Sequence, residues 1–357
     1  MKNMQKPTKK LLISIAVIIA IYVLVTVLQS AGAINSLMSG LLVPMCTYSI
    51  VAIGLNLCVG YLGELSLGHA GFMCIGAFTS AFFSKVFENT IPAVPRFLLA
   101  LIIGTVAAAI FGFLIAIPVL RLNGDYLAIV TLAFGEIIKN VINVIYIGVD
   151  SQGMHFSMKD QLSLGLEADG KILVNGAQGI TGTPRQSTFT IGIIILILCL
   201  IFTYTYVNSR TGRAVKAIRD NRIAAETVGI SVTKYKMQAF VLSAAIAGIA
   251  GVLYAHNLNA LTATTNNFGY NMSIMILVYV VLGGIGSFNG SIIAASLLTM
   301  LPELLRGLSN YRMLIYSIVL ILLMLFNWAP GVIKFRNEHG LTTAGIKEKL
   351  FKKKEVR

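Results

Sequence analysis

Charge is scarce in this chain. Of its 357 residues only 12% are Asp, Glu, Lys or Arg, about half the fraction usual in soluble globular proteins. Acids are scarcer still, 14 against 28 Lys and Arg. The composition excludes an ordinary soluble domain. The net charge of +14 invites a nucleic-acid partner, but the bases gather in an N-terminal tail, at 209–236 and in a C-terminal tail, each beside an apolar run. That placement fits the bias of Lys and Arg toward the cytoplasmic side of membrane spans, so no nucleic acid is expected. Cysteine is rare too: Cys46, Cys58, Cys74 and Cys199 all sit in apolar runs without CxxC or His-paired spacing. They read as small packing residues with no redox or metal role. The sequence has no GxxxxGK[ST] loop and no HExxH, and its glycine-rich stretch at 283–290 lacks the Lys that reaches phosphates. External loops carry no Ser/His/Asp set, which argues against an integral membrane enzyme. The chain is expected to bind no cofactor or metal, so any ATP that drives it is bound by another chain.

What remains is hydrophobic: 56% of residues, at a mean hydropathy of +0.82. The apolar residues come in runs of roughly 20, the length a helix needs to cross a bilayer. Ten spans are expected, at about 11–30, 37–60, 66–86, 97–117, 126–148, 188–208, 236–257, 270–285, 291–305 and 313–328. The fold class is thus an all-α polytopic membrane protein. Lys2, Lys6, Lys9 and Lys10 place the N-terminus in the cytoplasm, an even span count returns the C-terminus there, and the bases at 347–357 agree. The run at 11–28 is too long for a signal-peptide core and reads as the first span, although Ala31-Gly32-Ala33 resembles a cleavage site. The expected organisation is a basic cytoplasmic tail at 1–10, a membrane domain at 11–330 and a second basic tail at 331–357. Within the domain, 149–187 is an external loop, rich in turn residues, and 209–236 a cytoplasmic segment. Two short pieces, 270–285 and 291–305, flank the glycine-rich stretch as full spans or as half-helices around a re-entrant break. Gly63-Glu64-Leu65-Ser66 and Gly284-Ile285-Gly286-Ser287 each follow an apolar run. They suggest two related halves with broken helices at matching places.

Three polar features interrupt the apolar pattern. The stretch 60–76, GYLGELSLGHAGFMCIG, reads either as a broken helix beside a substrate path or as tight small-residue packing. His69 reads more readily as a satisfied packing residue than as a relay, and Glu64 as an interfacial acid. In the fifth span Glu136, Lys139, Asn140 and Asn143 share one helical face. A lone charge at the bilayer centre costs at least about 2.5–3.5 kcal/mol on insertion scales. Glu136 therefore pairs, neutralises or faces a wet cavity, either as part of a polar path wall or as a structural pair with a Lys139 that snorkels outward. At 209–236, Arg213, Lys216, Arg219 and Arg222 recur every three residues opposite Ala214, Ala217, Ile218, Ala224, Ala225 and Val228. This is the pattern of one amphipathic helix, capped by Thr211 and ended by Gly229.

Together these residues resemble the second of the two permease subunits of bacterial branched-chain amino acid ABC importers, over spans two to ten. The most specific stretch is RLNGDYLAIVTLAFGEI at 121–137. It is joined by the cytoplasmic segment, the external NGAQGITG at 175–182 and the late glycine motif. The loop at 150–171 is longer than the family's usual form, so receptor docking there can differ. The resemblance implies a multi-pass protein of the bacterial inner membrane that carries branched-chain or related neutral amino acids. Its partners are a second permease, two cytoplasmic ATPases holding ATP and Mg, an extracellular or periplasmic binding protein, and lipid. Gly212, Arg213, Arg219, Ala224, Ala225, Glu226 and Gly229 fall where the family docks its ATPase. Independently of the resemblance, the expected substrate path is Gly63, Ser66, Gly68, His69, Gly71, Gly124, Asp125, Tyr126, Thr131 and Glu136. Alternatives are the same architecture carrying nucleosides, urea or short amides, and an ion-coupled secondary transporter using Glu136 and His69.

Overall fold

The computed structural model describes residues 5–32, 35–122, 124–150, 153–166, 170–306 and 311–328. The tail expected at 331–357, the first four residues of the tail at 1–10, and Asn123 lie outside them. Apolar helices occupy the positions of all ten expected spans: α1 (Gln5–Ser30), α2 (Ser36–Asn56), α3 (His69–Val86), α4 (Ala93–Val119), α5 (Asp125–Val144) and α6 (Phe189–Asn208), then α9 (Val232–Ala255), α11 (Tyr270–Gly283), α12 (Phe288–Leu304) and α13 (Arg312–Trp328). Six of them are long and apolar enough to cross a membrane, counting α2 with the π-helical turn Leu57–Leu62 that extends it. The other four are α3, which carries His69, several serines and Lys85, and α11, α12 and α13, which have 14, 17 and 17 residues.

The chain divides into two compact units at 299/300. The second holds the end of α12, where Arg306 Nη1 donates to Glu303 Oε1 at 2.9 Å, and α13. In the first, α3 and α9 pack together at the centre, with α2 and α4 against them. Small residues set that spacing. A Cβ on Gly251 would lie 2.0 Å from the Met73 carbonyl oxygen, and one on Gly76 would lie 2.4 Å from that of Gly248. Helices in lipid associate through such contacts. All four cysteines are buried and free, the packing role the sequence suggests.

Two expectations need correction. The fold is not wholly α. After α5 ends at Val144 the segment expected to be external forms a three-stranded antiparallel sheet from β1 (Tyr146–Asp150), β2 (Gly153–Ser157) and β3 (Lys171–Asn175), with β1 central. A further strand, β4 (Ile180–Thr181), pairs with β5 (Ala260–Leu261) after α9. The apolar and β-branched pieces YIGVD and KILVN lie between turn residues, and five residues suffice for a strand. The segment 209–236 is also not one helix. It is α7 (Arg210–Asp220), α8 (Arg222–Thr227) and the start of α9. Asn221 takes an extended φ of −158° and its Oδ1 accepts from Ala224 N at 3.0 Å, ending one helix and capping the next. The first cap is Ser209, which accepts from Gly212 N at 3.2 Å, in place of Thr211. Gly229, at φ +83°, follows α8 in the left-handed conformation the sequence suggests.

Candidate functional site

The first unit carries chemistry at one end and at mid-depth. At the end where α2 finishes, the π-helical turn Leu57–Leu62 stops at Gly63, φ +80°. Residues 63–68 are non-helical until α3 begins. The break that one of the two readings of this stretch requires is present here. The Arg219 guanidinium on α7 donates to the Gly60 carbonyl at 2.6 Å, and a Cβ on Gly63 would lie 2.6 Å from Arg219 Cγ. The Lys216 ammonium stands 5.4 Å from the centre of the Tyr61 ring. Burial, with Arg219 and Arg213 close by, holds it below the usual lysine range. Lys236 on α9 forms a buried ion pair with Glu64. The other helix break, between α11 and α12, lies against the same turn. Tyr61 Oη donates to Gly286 O at 2.7 Å, Gly286 N to Asn56 Oδ1 at 2.7 Å, and Asn56 Nδ2 to Ser291 Oγ at 2.7 Å. The two glycine motifs that suggested a repeat are therefore neighbours, each with glycine at positive φ.

From this anchored base α8 projects. Ala225 is buried in a small cluster with Ile218 and Val232. Ile223 and Val228 are 75% and 74% exposed, and Glu226 Oε1 accepts from Arg222 Nε at 3.2 Å on the open face. Ala224 and Gly229 are exposed beside them. Gly212 is required at the α6–α7 corner, where a Cβ would lie 2.3 Å from Tyr206 O. Arg213 Nη1 donates to Asn208 O at 3.0 Å.

Inside the bundle, Ser66, Gly68, His69, Gly71 and Thr131 come together as a packed joint of α3, α5 and α9. His69 is buried, with Nδ1 3.2 Å from Ser66 Oγ and Nε2 2.6 Å from Ser243 Oγ; Ser243 donates on to Gly54 O at 2.6 Å. Leu67 N donates to Thr131 Oγ1 at 3.0 Å. Cβ atoms on Gly68 and Gly71 would lie 2.5 Å from Thr131 O and 2.7 Å from Gly135 Cα. Gly124, at φ +61°, and Asp125 open α5 away from this joint, and Tyr126 beside them is 72% exposed.

Glu136 lies at mid-depth on α5, about 12 Å from the helix end at Val144. Its Oε2 accepts from Lys139 Nζ at 2.5 Å and its Oε1 from Tyr270 N at 2.7 Å, the first residue of α11. A carboxylate there complements the helix's positive end. Lys139, buried, turns inward to Thr265 Oγ1 at 3.3 Å instead of snorkelling out, and Asn143 Nδ2 donates to Ala263 O at 3.0 Å. The polar face of α5 thus holds a segment that turns back into the bundle. After β5, residues 262–264 and the short α10 (Thr265–Phe268) descend until Phe268 stacks edge-on to Phe78, in the middle of α3, at 6.0 Å. Irregular backbone at such depth is tolerated where protein or water satisfies it.

The outer side of this turn is polar. Asn140, Thr264, Asn266, Tyr270 and Asn271 are exposed, with Asn271 Nδ2 donating to Asn266 Oδ1 at 3.0 Å. Polar side chains exposed at this depth face a wet cavity or a protein partner, because lipid cannot solvate them. Of these, sequence reasoning found Asn140 on the α5 face but missed 264–271. The available signal was the unmet need of Glu136 and Lys139 for partners. Among the described residues no three His, Cys, Asp or Glu gather as a metal site.

Comparison with known proteins gives a consistent picture. Residues 37–326 match the family described as branched-chain amino acid transport system, permease component. The chain is 35% identical over 297 residues to the high-affinity branched-chain amino acid transport system permease protein LivM of Salmonella typhimurium, over 79% of this chain and 66% of that protein. It therefore matches just under two thirds of that relative's length. It is 23% identical over 291 residues to LivH of the same organism, covering 80% of this chain and 91% of LivH. The nucleoside ABC transporter permease protein NupC of Lactococcus lactis is 24% identical over 194 residues, 54% of this chain and 59% of NupC. No solved structure matches.

Proposed function

The chain belongs to the family of branched-chain amino acid transport system permease components, and we propose that it is a membrane subunit of an ATP-driven importer for branched-chain or related neutral amino acids. It sits in the bacterial cell membrane, crosses it ten times with both termini inside, and comprises a membrane domain at 11–330 between basic tails at 1–10 and 331–357. ATP and Mg are bound by two separate ATPases, and an external binding protein delivers the substrate. A second permease completes the path; LivM and LivH of one organism share a transport-system name and both resemble this chain.

The observation that carries this reading is the α7–α8 segment. It is anchored by Arg219 on Gly60 and presents Ile223 and Val228 outward on a basic support. A free surface helix would gain nothing from a charged hydrogen bond to the end of a membrane helix, whereas a lever needs one. Gly212, Arg213, Arg219, Ala224, Ala225, Glu226 and Gly229 form or hold that lever. ATP-driven closure of the ATPases moves it, and the helix breaks beside Gly60 and Gly286 carry the motion inward. The substrate passes along the polar outer face at 264–271 and α5, opposite the second permease. Ser66, Gly68, His69, Gly71, Thr131 and Glu136 shape that path from behind by fixing α3, α5 and α11, and Gly124, Asp125 and Tyr126 lie at the α5 entrance. The similarity to a nucleoside ABC transporter permease keeps nucleosides as a second cargo reading.

The test is co-purification with the ATPases, with uptake measured in parallel, for wild type and for Ile223→Asp with Gly229→Asp. The variant is expected to stay in the membrane, lose the ATPases and lose ATP-dependent uptake. An ion-coupled carrier would keep full uptake in the variant, and that result would sink the importer reading.

A further inference from the structure

The re-entrant turn presents a matched pair of amides. Asn266 and Asn271 are both exposed, and Asn271 Nδ2 donates to Asn266 Oδ1 at 3.0 Å. That bond uses the donor of one amide and the acceptor of the other. It leaves Asn271 Oδ1 as a free acceptor and Asn266 Nδ2 as a free donor, neither with a partner among the described residues. The two free groups flank a single hydrogen bond, so one small ligand reaches both. Lipid is excluded as that ligand, because hydrocarbon cannot solvate amides at this depth.

Both amides are held from behind. Tyr270, one residue before Asn271, gives its N–H to Glu136 Oε1 at 2.7 Å. Thr265, one residue before Asn266, accepts from the Lys139 ammonium at 3.3 Å. These anchors put the free acceptor at the Glu136 end of the turn and the free donor at the Lys139 end. Glu136 and Lys139 pair with each other at 2.5 Å, so their charges cancel and the site as a whole is neutral. Ile274, three residues on from Asn271 and on the same face of α11, is 44% exposed and offers aliphatic surface beside the amides.

We propose that Asn266 and Asn271 read the zwitterionic backbone of the substrate. Asn266 Nδ2 donates to its carboxylate, Asn271 Oδ1 accepts from its ammonium, and its aliphatic side chain lies on Ile274. The site rests on the importer reading above, and it selects amino acids over the nucleoside cargo. A zwitterion makes a charge-assisted hydrogen bond at each amide, roughly twice as strong as the neutral bonds a nucleoside offers. A ligand of one charge would bring that charge unmatched to mid-depth, where it is costly. A zwitterion brings none. The buried ion pair favours the same orientation, since Glu136 lies at the ammonium end and Lys139 at the carboxylate end. The amides make the contacts, so the orientation does not depend on the pair.

The experiment is saturation-transfer NMR on the assembled transporter in lipid nanodiscs without binding protein, read against empty nanodiscs. The probes are leucine, leucinamide, which lacks the carboxylate, 4-methylpentanoate, which lacks the ammonium, and uridine. Wild type is expected to bind leucine about tenfold or more tighter than each of the others, the worth of one hydrogen bond to a charged group. Asn266→Ala should lose the preference over leucinamide and keep that over 4-methylpentanoate. Asn271→Ala should do the reverse. A merely structural role would not produce these crossed losses. Unchanged preferences in both variants would overturn the site, while ATP-dependent leucine uptake by the wild type would leave the importer reading standing. Loss of the second permease from either purified variant would also overturn the site, because the amides would then be a subunit contact. Uridine binding tighter than leucine, with ATP-dependent uptake of uridine alone, would overturn both the site and the amino acid cargo.

Discussion

Replacing Glu136 by Gln removes a charge and almost nothing else. The amide keeps an oxygen where Oε1 accepts from Tyr270 N, so the α11 cap survives. What changes is Lys139, whose side chain is only 10% exposed and whose remaining partner is the Thr265 hydroxyl at 3.3 Å. Breaking a buried pair by removing one partner costs about 3–5 kcal/mol, and an isolated Lys at the centre of a membrane helix about 2.5–3.5 kcal/mol on insertion scales. The Glu136 side chain is 24% exposed, so water screens part of the pair and the expected loss is about 2–4 kcal/mol. That is roughly 30- to 700-fold in the ratio of folded to unfolded protein. Glu136→Gln with Lys139→Met removes both charges and is expected to return to within about 1 kcal/mol of wild type, as exchanges of buried pairs for apolar groups often do. The assay is denaturant titration of the purified protein in detergent, with uptake measured in proteoliposomes. The double variant should recover both stability and uptake. If the single variant is as stable as wild type, or the double is worse than the single, the pair is not what holds the re-entrant segment. If stability returns but uptake does not, Glu136 acts as a charge in transport, as the ion-coupled rival requires.

Two further substitutions test the coupling base and the inner joint. Arg219→Ala removes the 2.6 Å bond to Gly60 O and is expected to cut uptake several-fold while the ATPases still co-purify; unchanged uptake would mean that α7 moves nothing through Gly60. Gly71→Ala puts a Cβ 2.7 Å from Gly135 Cα, which is backbone and cannot rotate away, whereas a Cβ at Gly40 meets nothing within 4 Å. Gly71→Ala should therefore destabilise by about 1–3 kcal/mol and Gly40→Ala hardly at all, and equal melting temperatures for the two would refute the close α3–α5 joint.

The places of the helices were legible because hydrophobic runs need no partner to be recognised. Helix ends and breaks depend on single residues. At 209–236 the three-residue recurrence of Arg and Lys runs straight through Asn221, so the periodicity suggests one helix where the chain makes two. The local signal was there, since Asn competes with the helix backbone and favours caps, but it is one residue against a long pattern. The stretch 60–76 combines features of both readings the sequence allows: the chain leaves the helix at 63–68, and Gly71 and Gly76 are tight contact points. The segment 262–270 was not legible. Its Thr and Asn residues look like an ordinary loop between spans, and what draws it into the bundle is a carboxylate on α5 that binds the Tyr270 amide from far away in sequence. Sequence could offer Lys139 as one partner of Glu136, but not that the other is a backbone amide.

The short helix α11 joins these features. Its 14 residues span about 21 Å, too little to cross the hydrocarbon alone, and both ends are held. Its start is fixed by Glu136 at mid-depth, beside the exposed polar face. Its end runs through Gly284 into Gly286, which is hydrogen-bonded to Asn56 and Tyr61. A Cβ on Gly60 would lie 2.4 Å from Gly286 N, so the two helix breaks touch without slack, and Arg219 grips the same residue from α7. Close-packed contacts pass displacement on instead of absorbing it. On the importer reading, a shift of the α7–α8 lever therefore reaches the end of α11 within one residue contact, and a rigid helix delivers it to Asn266, Tyr270 and Asn271. On the same reading the short α11 has a use: a full-length span would carry the motion past the midplane, whereas a helix that begins at Glu136 delivers it where polar side chains face outward.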